Sequence, residues 1–468
     1  MIFYTITQER FNAFFYGRTP YVKLFATELE WFVHEREEVT LLATILRCEI
    51  DKDFNAIVLG RDLDRKFRAI HIIVSKETRD EIFNDLNQSI KSLVNAHVDG
   101  LFPQGDEKSS PFSIFSRRVS EEKRNRYIKL LTDDPVYYPA KVMMEELAHW
   151  FDDPDGIYIR GLQGNEFNSR LFELYLQVMF HEQDFEIDRS HNYPDYLIEK
   201  AGKKISVEAV TINEPELPEE KEKYSRFPGK EEYPLFCAAI ESLMPFKFSR
   251  VLQKKVGHKP EPDNLNYWDL PHTKGLPFII AIQDYTQFIS TNSTSLSMQE
   301  FLYGLNINEG EVKQIERHHF ENRTIKSNFF GHPNNKHVSA ILLSTGATLP
   351  KFNRMGRIAG LKSPNSFAMV EGMRTDKNAI VEPFVAFAEH PSYKESWSDG
   401  IFIFHNPNAI YPLEERLFPR AIHVYRNDEG ILQCIPPNFI VSSRTWMTAF
   451  DETEFESIWN QIDSLRKE

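Results

Sequence analysis

Residues 165–213 contain carboxylates at spacings that could gather them around one cation. Glu166, Arg170 and Glu173 are spaced i, i+4, i+7, so on a helix they share a face. Residues 193–199 and 204–211 alternate as strands around Ala201-Gly202, a two-residue hairpin turn. That turn sets position 195 opposite position 208, which puts Asp195 and Glu208 side by side on one face of the hairpin. Facing Cβ atoms in such a pair lie about 4.5–5.5 Å apart, where like charges destabilise a sheet. A divalent cation held between the two carboxylates would relieve that conflict. A slip of the turn to Gly202-Lys203 would destroy the pairing, because one residue of register exchanges the two faces.

Two elements must position these acids. The helix carries a second stripe, Leu171, Leu174, Tyr175, Val178 and Met179, which can pack it against a sheet. On the hairpin, Tyr196, Ile198, Ile205 and Val207 fall on the face opposite the acids and can join the same core. Glu208, between Val207 and Ala209 in a half-buried run, is costly as an unpaired carboxylate. Asp195, in Asn192-Tyr193-Pro194-Asp195, could instead serve as a turn residue.

A helix glutamate, then Pro194-Asp195, then Val207-Glu208-Ala209-Val210 on the next strand resembles the PD-(D/E)xK, restriction-endonuclease-like nuclease core. The resemblance covers about 50 residues and extends to members with a VEAVT strand in place of (D/E)xK. It implies that Asp195 and Glu208 hold Mg²⁺ (or Mn²⁺), with Glu173 as the assisting helix acid and Glu166 as the second choice. The water-activating lysine of the family falls at Val210, which departs from the pattern. A valine cannot position or deprotonate water, so a lysine must come from another element, the metal must act alone, or the site is inactive. Lys254 and Lys255 end a helical segment expected beside the sheet and are the candidate replacements, whereas Lys203 and Lys204 lie toward the turn. The resemblance thus implies a nuclease acting on DNA, in defence against foreign DNA. The alternative is a catalytically inactive module that binds nucleic acid or a partner protein. Arg170 and Arg250 are candidate phosphate contacts, although Arg170 is most simply the partner of Glu166 or Glu173.

Composition sets bounds on these readings. With 468 residues, 41% hydrophobic and 13% aromatic including 37 Phe, the chain can build large cores in two or three domains. The net charge of −14, from 55 basic and 69 acidic residues, opposes nonspecific nucleic-acid binding by the whole surface. Local basic groups occur at Arg117, Arg118, Lys123, Arg124, Arg126 and Lys129, and at Lys247, Arg250, Lys254, Lys255 and Lys259, each also readable as a solvated helix face. No apolar run approaches a membrane span, the first residues lack a signal-peptide n-region, and three scattered cysteines suggest neither a disulfide framework nor a zinc site. A cytoplasmic protein without membrane contact is expected, with a homo-oligomer or a defence-system partner open. Gly-x-Ser-x-Gly and P-loop patterns are absent.

The expected architecture is α/β, a mixed sheet flanked by helices, with an N-terminal β-rich domain. Residues 1–110 read as that domain, 111–160 as a helical connector, 161–360 as the nuclease-like core, and 361–468 as a C-terminal α/β extension. The Pro- and Glu-rich stretch near 212–233 reads as a lid-like insertion. Residues 276–282 and 337–344 are continuous apolar runs expected in the centre of a sheet. Weaker candidates are Glu145, Glu146 and His149 as metal ligands, the adjacent His318-His319, and His405 in the HNPNA block. The KFNRMG block, residues 351–356, has no expected role.

Overall fold

The computed structural model describes residues 2–467 apart from 37, 98, 108–112, 152–155, 214–232, 262–263, 287–290, 309–310 and 429. Most of the expected insertion near 212–233 lies outside the described residues. The N-terminal strands Tyr4–Ile6, Ala26–Arg36, Val39–Cys48, Phe54–Arg61 and Phe67–Lys76 form one antiparallel sheet in sequence order. Helix Arg79–Ala96 covers it through Ile82, Leu86, Ile90 and Val94, spaced four apart and buried. The Thr78 hydroxyl caps this helix by accepting from the Glu81 amide. The Arg61 guanidinium forks onto Glu146 at 2.7 and 3.1 Å, which ties this unit to helix Tyr138–His149. Glu146 is therefore a structural ion-pair partner rather than a metal ligand.

The centre is an eight-stranded mixed sheet, ordered Gly430–Cys434, Ile422–Asn427, Phe402–His405, Val338–Ser344, Phe278–Asp284, Lys203–Ile212, Tyr196–Lys200 and Glu186–Asp188. Strands 203–212, 278–284 and 338–344 are mutually parallel, and 402–405 runs antiparallel to them. Every residue of 278–284 and 338–344 is buried, as expected for strands covered on both faces. On one face, helices Tyr138–His149 and Phe167–Glu182 pack over Tyr196, Ile198, Ile205, Val207, Ile279 and Leu342. On the other, helices Tyr233–Val256 and Thr291–Tyr303 pack over Ile212, Phe278, Ile280, Ile282 and Leu343. The α/β class is thus present.

The segment 361–468 is not set apart from this sheet. Three of its strands, 402–405, 422–427 and 430–434, are hydrogen-bonded members of it. Strands Ser366–Thr375, Val381–Phe387 and Ile440–Ala449 form a separate three-stranded antiparallel sheet. Among the described residues no helix is long and apolar enough to cross a membrane.

The hairpin follows the expected register. Tyr196 pairs with Val207 and Lys200 with Lys203. Ala201 and Gly202 both have positive φ, +52° and +72°, as a turn matching the strand twist requires. Alanine is strained there and asparagine is not. Ala201→Asn should therefore stabilise the protein by about 0.5–1 kcal/mol. Chemical denaturation checks this, and an unchanged or lower midpoint would count against the turn geometry.

Candidate active site

Asp195 lies immediately before strand 196–200, and Glu208 lies on strand 203–212. The two are locked to each other's backbone. The Asp195 amide donates to Glu208 Oε2 at 3.3 Å, and the Ala209 amide donates to Asp195 Oδ2 at 2.7 Å. Glu208 is 3% exposed. Its other oxygen accepts from Lys255 Nζ and, at 2.9 Å, from the Tyr267 hydroxyl. Lys255 comes from the last turn of helix 233–256, opposite the position where the strand itself carries Val210. Val210, two residues along from Glu208, packs into the core beneath that helix.

The electrostatics follow from burial. Desolvation raises the Glu208 carboxyl above its ordinary range and Asp195 raises it further, against Lys255 and Tyr267. Burial alone would lower the Lys255 ammonium, but Glu208 and then Asp195 outweigh it and hold it above its usual value. Lys255 is accordingly a cation in this state, able to orient a polar group but not to take a proton.

Glu173 faces the pair from helix 167–182, buried to 6% exposure. Arg170 Nη1 holds Oε1 at 2.9 Å, and Arg189 Nη2 holds Oε2 at 3.1 Å. Burial and then Asp195 raise the Glu173 carboxyl, with Arg189 and Arg170 opposing. Arg189 also donates to the Tyr196 hydroxyl at 2.9 Å and lies over the Phe151 ring at 3.9 Å. The Tyr196 hydroxyl in turn donates to the Glu173 carbonyl at 2.5 Å. Glu173 is thus seated by two arginines, Arg170 acts as a clamp rather than as a free phosphate contact, and Glu166 serves Arg170 at 2.7 Å with its own side chain 57% exposed.

Several expected residues lie elsewhere. Lys254 and Arg250 are exposed on the outer side of helix 233–256. Lys203 pairs with Glu414, and Lys204 with Glu199. Arg117, Arg124 and Lys129 converge on Glu121. His318 and His319 point apart on strand Arg317–Phe320, one bonded to Ser327 and the other to Thr324. His405 ends strand 402–405 in a buried 2.9 Å bond to His423, which gives it a structural partner instead of a place in a loop pocket. Sequence reasoning missed Tyr267 and Arg189, both in polar segments without periodicity that would mark them as inward-facing.

Among the described residues no group of three His, Cys, Asp or Glu side chains is arranged to hold a metal ion. Of Asp195, Glu208, Glu173 and Glu166, the first two lie together, arginines hold both oxygens of Glu173, and Glu166 is exposed beside Arg170. Two hard carboxylate ligands still fit Mg²⁺, which takes one or two carboxylates and completes its shell with water and substrate phosphate. Oδ1 of Asp195 accepts no hydrogen bond from the described residues. Comparisons with protein-family models, curated proteins and solved structures give no match for this chain.

Removing Lys255 would leave Glu208 buried without its cation. In Lys255→Met the folded carboxyl is raised further above its unfolded value near about 4.3. A raised carboxyl contributes stability below that unfolded value and loses it as pH rises through the folded one. With the wild-type carboxyl already pushed up to about 8, the variant should track the wild type from about pH 5 to 7 and fall progressively below it between about pH 8 and 10. Denaturant melts across that range check this, and a pH-independent difference would contradict it.

Proposed function

We propose that the chain is a metal-dependent nuclease of the PD-(D/E)xK type that hydrolyses DNA phosphodiester bonds with Mg²⁺ or Mn²⁺. The observation that carries this reading is Lys255 Nζ on Glu208, beside Asp195. An acid pair with a lysine amine is the set of groups that the resemblance requires, reached here from a neighbouring helix instead of from position 210. The hairpin between a glutamate-bearing helix and two parallel strands is consistent with a restriction-endonuclease-like core.

In this reading Asp195 and Glu208 would hold the divalent ion, which when bound supplies Lewis-acid polarisation of the phosphate. The chain's own groups do the rest. Lys255 orients the attacking water and screens charge on the phosphoryl oxygens. Tyr267 fixes Glu208 by its hydroxyl and is itself held by stacking on Phe278, ring centroids 5.6 Å apart. Arg170 and Arg189 hold Glu173 facing the pair, and their charge favours an incoming polyanion. The defensive setting, the cytoplasmic location and a partner or second copy belong to the same reading.

One observation favours the inactive-module alternative. Glu208 already has three donors and Glu173 has two, so both are satisfied without a metal ion. A cleavage assay separates the readings. With Mg²⁺ or Mn²⁺ the wild type should cut plasmid, linear or single-stranded DNA. Glu208→Gln and Lys255→Ala should lower the rate by about 10²-fold or more, and Lys254→Ala should cut normally. A wild type that cuts none of these substrates would overturn the nuclease reading in favour of a binding module.

A further inference from the structure

A group of rings lies beside the acid pair. Tyr193 comes two residues before Asp195, and His258 comes three residues after Lys255. Both rest on Tyr267, whose hydroxyl bonds Glu208, with ring centroids 6.4 Å apart for Tyr193 and 5.6 Å for His258. Tyr193 and His258 also meet edge to face at 6.3 Å. Tyr267 is buried, whereas Tyr193 is 39% exposed and His258 is exposed.

A second contact fixes this rim. His272 Nε2 donates to the Tyr193 carbonyl at 2.7 Å, and the His272 ring stacks on His191 at 3.8 Å with 6° between planes. One face of His191 is thus covered, and the residue remains exposed. The loop carrying Asp195 and the loop after helix 233–256 are therefore joined by rings that leave surface open to solvent. Charge does not distinguish the rim. Residues 257–276 contain two lysines, Lys259 and Lys274, against three acids, Glu261, Asp263 and Asp269. Arg189, on the other loop, is held by Glu173. A DNA duplex turns its phosphates outward and keeps its base faces stacked inside, so proteins bind it chiefly by neutralising phosphate. A rim without excess positive charge, on a chain of net charge −14, is poorly suited to that. An unpaired strand offers the faces of its bases, and tyrosine and histidine rings stack on these with little regard to sequence.

We propose that the rim of His191, Tyr193 and His258 is a stacking platform for unpaired bases, so that the strand presented to the acid pair is single-stranded DNA. The proposal rests on the reading of that pair as a nucleic-acid site and names the form of strand it takes. Bases stacked on Tyr193 and His258 carry the adjoining backbone over Tyr267 toward Asp195 and Glu208.

Fluorescence anisotropy of the full chain in EDTA tests it, with labelled oligothymidylate, an abasic strand and a duplex of equal length as probes. Oligothymidylate should bind at least about tenfold more tightly than either of the others. Tyr193→Ala and His258→Ala should each weaken that binding about tenfold and leave the affinity for the abasic strand unchanged, whereas a misfolded site would lose both. Tyr193→Phe and His258→Phe, which keep a ring, should bind as wild type. No binding of oligothymidylate, equal affinity for the duplex or the abasic strand, or unchanged binding in both alanine variants would each overturn the proposal. Tight binding of the single strand without cleavage in Mg²⁺ or Mn²⁺ would sink the nuclease reading and leave the platform in place. Cleavage of duplex as fast as of single strand would keep the nuclease reading and overturn the platform.

Discussion

A carboxylate buried beside another carboxylate is the constraint around which this end of the sheet is built. Glu208 projects from a central strand into an apolar core that includes Val210, Ile212, Phe278 and Ile280. Each way of tolerating its charge draws in another element. The hairpin supplies the Asp195 amide, the loop after helix 233–256 supplies Tyr267, and the helix itself supplies Lys255. Removing any one would leave a buried acceptor short of a donor, which costs about 1–3 kcal/mol. Such an arrangement is expensive to keep for stability alone, since well-packed apolar residues of similar volume usually serve as well or better. Strongly shifted, mutually interacting groups at one spot are a mark of functional sites.

Much of this was legible because it rests on local rules. The Ala201-Gly202 turn fixes the register, and the register alone places Asp195 opposite Glu208. The alternation of Tyr196, Ile198, Ile205 and Val207 identifies the opposite face as core. The choice between Lys254 and Lys255 was also open to helical phase. Ile240, Met244, Phe248 and Leu252 form the buried stripe, and Lys255 continues it at i+3 from Leu252, whereas Lys254 is rotated about 100° away.

What stayed hidden depends on partners remote in sequence. Arg189 reaches Glu173 from 16 residues later, and Arg354 reaches Glu395 from 41 residues earlier. Charged residues on a short helix read as solvated unless those partners are known, yet Lys351, Arg354 and Arg357 are all buried. The strands after residue 400 read as an extension because hydropathy gives no pairing order. Strand 402–405 in fact joins the central sheet antiparallel to 338–344. Glu173 was readable as a helix acid facing the site with Arg170 as its partner, but not its second hold by Arg189, which comes from outside the helix.

The central claim is that the Asp195–Glu208 pair binds a divalent cation. Thermal melts of the wild type and of Asp195→Asn over a Mn²⁺ titration test it most directly, since an ion that binds the native state raises its melting temperature with concentration. The account predicts a saturable rise in the wild type that is lost in Asp195→Asn. No rise in the wild type, or an equal rise in the variant, would contradict it.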